Sequence, residues 1–177
     1  MQTSILLIAD AVMLGGAALI FGPRLLKNYH RKVETPNAFM IQNVTSGLVI
    51  RPRNAEIADG VPIIQYTPQN WECTTWQMIG IDRDTYLLKD LYTQKSFGPV
   101  RQPVDGVELV QQPIGGDKLQ HWVFEPIEDN RYRIRLADTN LYITSQNSTV
   151  NARLILTAGD EQNDAQQWIL KQQHPII

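Results

Sequence analysis

Cys73-Thr74-Thr75-Trp76, Leu119-Gln120-His121-Trp122 and Ala165-Gln166-Gln167-Trp168 decide how this chain is read. The three tryptophans lie 46 residues apart, twice over. Each is followed by an apolar or strand-prone pair: Gln77-Met78, Val123-Phe124, Ile169-Leu170. A fixed period in this range is the mark of a repeat architecture.

Working outward, the rest of the chain aligns with itself. Gly60, Gly106 and Asn151 each precede a strand-like run: Pro62–Tyr66, Glu108–Gln112 and Arg153–Thr157. Upstream in each unit lie two more such runs: Phe39–Asn43 and Leu48–Ile50, then Tyr86–Asp90 and Ser96-Phe97, then Tyr132–Leu136 and Leu141–Thr144. With the strand that carries each tryptophan, this predicts four short strands per unit and twelve in all. Tyr132-Arg133-Ile134-Arg135-Leu136 alternates apolar with basic, so one face is expected buried and the other wet. Gly, Asn and Asp punctuate the runs, as at Thr45-Ser46-Gly47, Ala58-Asp59-Gly60 and Asp138-Thr139-Asn140, because they tolerate turn dihedrals. Gly115-Gly116-Asp117 reads as a hairpin turn, and Asp82-Arg83-Asp84 and Glu125…Glu128-Asp129 as solvated loops. No long helical period follows residue 37. The expectation is an all-β domain over 38–174, with units 38–80, 81–126 and 127–174.

These residues carry a resemblance. Gln120-His121-Trp122 and Gln166-Gln167-Trp168 match a Gln-x-Trp motif, and Thr74-Thr75-Trp76 departs from it. Three tryptophan sites in register resemble the ricin-type β-trefoil. Ile50-Arg51-Pro52, Trp71–Trp76 and Tyr92–Pro99 look like a bacterial ricin-like subgroup. The resemblance implies a six-stranded barrel capped by three hairpins. It implies a structural role for Trp76, Trp122 and Trp168, packed in the shared core, and for Gln120 and Gln166, satisfying backbone groups beside the rings.

Sugar sites of that family use an aspartate after a unit's second strand and an aromatic residue after its third. The aspartate position falls on Arg51, near Gly98 and on Thr144, none of them acidic. The aromatic position falls on Tyr66, Gln112 and Thr157. Only the first unit keeps a ring, and it adds Trp71. The candidate carbohydrate site is therefore Arg51, Asn54, Asp59, Tyr66 and Trp71. Arginine's planar fork suits a carboxylate, as on an acidic sugar. The blander expectation for Arg51 is a surface ion pair with Glu56 or Asp59.

Other chemistry has little support. His30, His121 and His174 share no metal-ligand spacing, and Cys73 has no CxxC partner. Cys73 reads as a small buried hydrophobe, and as the single cysteine it excludes an intrachain disulfide. No catalytic residue, metal or cofactor is expected. Asn43-Val44-Thr45 and Asn147-Ser148-Thr149 fit the N-glycosylation pattern. A formal net charge of −2 gives no reason to expect nucleic acid as a partner.

Ahead of the repeats, Ile5 to Phe21 is apolar or small except for Asp10. As a helix these 17 residues would span roughly 26 Å, close to a bilayer's hydrocarbon core. Three readings compete: a cleaved signal peptide, an uncleaved anchor, and a helix docked on protein. Met1-Gln2-Thr3-Ser4 has no basic side chain and no good cleavage site follows Phe21, so the anchor is preferred: residues 1–33 form it with a basic flank, residues 4–22 cross the membrane, and 34–37 link it to the domain. Arg24, Lys27, Arg31 and Lys32 after the span favour a cytoplasmic domain, whereas the resemblance favours an exported one. Two functions follow: a non-catalytic, membrane-tethered module binding carbohydrate through at most one site, or an accessory subunit of a membrane complex whose trefoil docks on protein partners. A weaker third is a protease inhibitor using the Pro99–Gly116 loop.

Overall fold

Six strands close into a ring. In a computed structural model, which describes residues 37–128 and 130–175, β1 (Ala38–Asn43) pairs with β4 (Trp76–Asp82), β4 with β5 (Thr85–Asp90), and β5 with β8 (His121–Glu128). β8 then pairs with β9 (Arg131–Leu136), β9 with β12 (Gln167–Gln172), and β12 returns to β1. Every pairing is antiparallel. A closed ring leaves no sheet edge unpaired, which removes the usual route to edge-to-edge aggregation. The remaining strands form three hairpins: β2 (Val49–Pro52) with β3 (Ile63–Tyr66), β6 (Ser96–Pro99) with β7 (Leu109–Gln112), and β10 (Leu141–Ser145) with β11 (Leu154–Ala158).

The hairpins are stitched to one another in a cycle. Gly60 N–H donates to Gln111 O (2.8 Å), Gly106 N–H to Leu156 O (2.7 Å) and Asn151 N–H to Gln65 O (2.9 Å). The three donors have φ of +77°, +79° and +69°. That left-handed backbone explains why glycine or asparagine stands at the start of this strand in every unit.

The core repeats with the same period. Ile41, Leu88 and Ile134 are fully buried, as are Ile63, Leu109 and Leu154, and Trp76, Trp122 and Trp168. Burying each indole removes on the order of 200 Å² from water, worth several kcal/mol at ~25 cal/mol/Å². Trp76 Nε1 donates to Ile50 O at 3.0 Å and Trp168 Nε1 to Ile143 O at 3.1 Å, pinning barrel to cap. Trp122 Nε1 is buried without a partner; its ring instead stacks on Phe97 at 5.0 Å between centroids. The tryptophans therefore take the expected structural place.

Three local expectations need correction. Gly115-Gly116-Asp117 is not a hairpin turn: β7 and β8 do not pair, and Asp117 Oδ1 accepts from Leu119 N–H (2.9 Å) to cap a one-turn helix, Lys118–Gln120. Glu125 is not in a solvated loop. It lies within β8, 28% exposed, and accepts from Arg135 Nε (2.6 Å) and Tyr142 Oη (3.0 Å). The outer face of β9 is consequently only half wet, because Arg133 and Arg135 lie over Glu125 with 19% and 25% exposure. The proposed membrane helix lies outside the described residues.

Candidate functional site

The five candidate residues do not form one cluster. Tyr66 ends β3 and Trp71 lies five residues on; both are half-buried. Their ring centroids are 6.4 Å apart with a 32° tilt between planes. Arg51 lies beneath, its guanidinium carbon 4.3 Å from the Tyr66 ring centroid. It is only 6% exposed, and its Nε donates to Pro52 O at 3.0 Å. A cation held against a ring in this way is an attractive contact of about 0.5–2 kcal/mol. Arg51 thus supports the aromatic pair, and the surface ion pair with Glu56 or Asp59 does not form.

Asn54 and Asp59 are engaged with other partners. Asn54, at φ +54°, gives its amide to Glu56 Oε1 (3.1 Å). Asp59 forms an ion pair with Lys95, which also donates to Ile57 O at 2.7 Å. That pairing ties the β2–β3 loop to the second unit. The compact candidate site is Arg51, Tyr66 and Trp71.

The tryptophan motif also sets the first unit apart from the other two at this place. Gln120 Nε2 donates to Pro113 O (2.8 Å) and reaches Gln112 Oε1 (3.3 Å), while its Oε1 accepts from Gly115 N–H (3.1 Å). Gln166 repeats the arrangement: Nε2 donates to Ala158 O and Thr157 Oγ1, both at 2.8 Å, and Oε1 accepts from Asp160 N–H (3.0 Å). The motif glutamines therefore hold backbone and also bind the polar residue standing where the family's aromatic would be. Thr74 replaces them in the first unit. Its shorter side chain donates to Gln69 O (2.7 Å) and does not engage position 66. The second unit is closed further at Gly98, where a Cβ would sit 2.6 Å from Leu119 O. In the third, Thr144 bonds Thr157.

Beside this site lies a group that the sequence argument passed over. Asp90 is fully buried at the end of β5. Its Oδ1 accepts from Tyr92 N–H (3.0 Å) and Thr93 N–H (2.7 Å), but Oδ2 has no partner. Burial pushes its carboxyl up to about 7, against the opposing pull of those N–H groups and of Arg51. Asn43 holds the corresponding place in the first unit, where its Nδ2 donates to Ala165 O (3.0 Å) and Gln167 O (3.3 Å). Aligning Asn43 with Asp90 in the repeats was the signal available. Cys73 is 7% exposed, and burial raises its thiol, which opposes reactivity. Among the described residues no three His, Cys, Asp or Glu side chains cluster to hold a metal. Asn43 is 1% exposed with both ends of its amide engaged, so its glycosylation pattern is inaccessible in the fold.

No protein-family model and no curated protein matches this chain. Solved structures do. The designed threefold-symmetric protein ThreeFoil has a TM-score of 0.72 at 21% identity, covering 76% of this chain and 97% of its own. The Macrolepiota procera ricin B-like lectin in complex with lactose has a TM-score of 0.66 at 20% identity, covering 76% and 94%. The exo-β-1,3-galactanase of Clostridium thermocellum has a TM-score of 0.70 at 20% identity, over 76% of this chain but 30% of that one, so the likeness there is to part of a larger enzyme. The chain has the ricin-type β-trefoil fold.

Proposed function

We propose that the domain is a non-catalytic carbohydrate-binding module with one ligand site, in the first repeat, and that residues 1–33 tether it to a membrane. The observation carrying this is the half-exposed Tyr66–Trp71 pair backed by Arg51, in the one repeat whose motif side chain leaves the aromatic position free. Aromatic faces pack against the C–H faces of sugars, and a pair fixed from below loses little freedom on binding. The similar lectin of Macrolepiota procera is in complex with lactose, which agrees with this use of the fold. Arg51 acts as a positioning residue here, since its guanidinium is already covered. A glycan array probed with the full chain and with Trp71→Ala tests the site. Binding by the wild type and at least about a tenfold loss in the variant is expected; equal or absent binding for both overturns it.

One observation favours a second function, an accessory subunit docking on protein. The loops of the first and second hairpins expose Ile57 (66%), Val100 (49%) and Val104 (50%), and the β7–β8 connection exposes Ile114 (45%). Membrane extraction in mild detergent separates the two. A stable complex of defined subunits that Val104→Asp disperses supports docking, and a lone protein retained on polysaccharide supports the lectin role. A protease-inhibitor activity would reside in the Pro99–Gly116 region, which carries Val100, Val104 and Ile114 but not Ile57.

A further inference from the structure

At the barrel end where β4 turns into β5 and β8 into β9, a cavity of about 300 Å³ opens. Its wall repeats the threefold period: Met78, Phe124 and Leu170 are 46 residues apart, and so are Tyr86 and Tyr132. Phe124, 3% exposed, is the most buried of the lining residues. The Tyr86 ring stands at 89° to it with centroids 5.5 Å apart, and the Tyr132 ring at 71° and 6.0 Å. Asp84 lines the same cavity, its carbonyl accepting from Phe124 N–H at 2.8 Å. Its carboxylate forms no ion pair among the described residues, and no lysine or arginine lines the cavity. Tyr86 Oη donates to Arg83 O (3.4 Å), which orients the ring.

We propose that this barrel mouth binds an alkylated ammonium group, such as that of choline. Ring faces carry negative charge density, and a quaternary ammonium presents a diffuse positive charge on an apolar body. Two tyrosine rings set across a phenylalanine, with the acidic residue Asp84 in the lining and no basic one, match both properties. A sugar would find no buried hydrogen-bonding side chain here, and a fatty chain would leave the carboxylate unused. The site is separate from Tyr66 and Trp71 and independent of what they bind.

The test uses the full chain in mild detergent and follows the tyrosine ring signals by NMR during titration with choline and with its neutral isostere 3,3-dimethylbutanol. Choline is expected to bind with a Kd on the order of 1–10 mM, as its few heavy atoms allow. The isostere should bind at least about fivefold more weakly, and Asp84→Asn should weaken choline by a similar factor without affecting the isostere. Tyr132→Leu should abolish binding, while Trp71→Ala should leave it unchanged. Vesicles of phosphatidylcholine and of phosphatidylglycerol identify the source: choline-competed binding to the former assigns a lipid headgroup, and no vesicle binding assigns a free solute. No shift with choline, or equal affinity for the uncharged isostere, overturns the proposal.

Discussion

Asp90 is a carboxylic acid in a place built for an amide. The turn after β5 needs one side-chain oxygen as acceptor, and Oδ1 supplies it. In the first unit the other end of the side chain is a donor, Asn43 Nδ2, aimed at two carbonyls. A carboxylate can only accept, so the folded chain favours protonated Asp90, its carboxyl pushed up to about 7 from an ordinary value of 3.8. Between about pH 4 and pH 7 the folded state therefore holds a proton that the unfolded chain has released. Stability falls as pH rises through that window and is level above it. Asp90→Asn should flatten the dependence and raise stability at pH 8 by on the order of 1–3 kcal/mol. Urea unfolding at pH 5 and pH 8 checks this, and an unchanged slope with pH in the variant would refute it. Cys73, Glu72 and Arg51 stay in place as the neighbouring ionisable groups, so the difference between the two pH values isolates position 90.

At the scale of the element, each hairpin is held by contacts that sequence spacing locates but does not describe. Gly60, Gly106 and Asn151 were legible because positive φ selects residue types. The 46-residue period showed three repeats of four strands, and the six-strand ring was legible only through the resemblance those repeats carry. The fate of Glu125 was not, because the strand β8 extends past the point where its apolar pattern stops, and the arginines that claim the carboxylate come from another strand. Likewise Asp59 looked like a companion to Arg51, yet Lys95, from the next repeat, reaches it first. A local window cannot see such partners. Gly98 gives the sharpest test at this scale. Gly98→Ala should cost about 1–3 kcal/mol, since its methyl would meet the Leu119 carbonyl on the one-turn helix. Gly80→Ala in β4, where a Cβ meets nothing within 4 Å, should stay within about 0.5 kcal/mol of wild type. Denaturant midpoints for the two variants measure both.

For the molecule as a whole, closure depends on its first and last strands finding each other. β1 pairs with β12 over five positions, from Phe39 opposite Gln172 to Asn43 opposite Trp168. A chain ending at residue 166 would lose Trp168 from the core and open the ring between β9 and β1. It should show no cooperative thermal transition by near-ultraviolet circular dichroism, although more than two full repeats remain. The candidate site was half legible at this scale. The repeats singled out Tyr66 and Trp71 as the place where symmetry fails, but they could not show that Arg51 lies under the ring instead of reaching outward.

The amides of Gln120 and Gln166 have a consequence for how such a chain can change. Placing an aromatic ring at position 112 or 157 would remove one acceptor of a motif amide and leave the other, Pro113 O or Ala158 O, in place. Each such ring therefore costs one side-chain contact, and in the second repeat a side chain at position 98 would also meet the Leu119 carbonyl. The first repeat, with threonine in the motif, faces no such obstacle. The three repeats are equal as architecture and unequal in freedom: a ring at the end of the third strand costs a side-chain contact in two of them and none in the first.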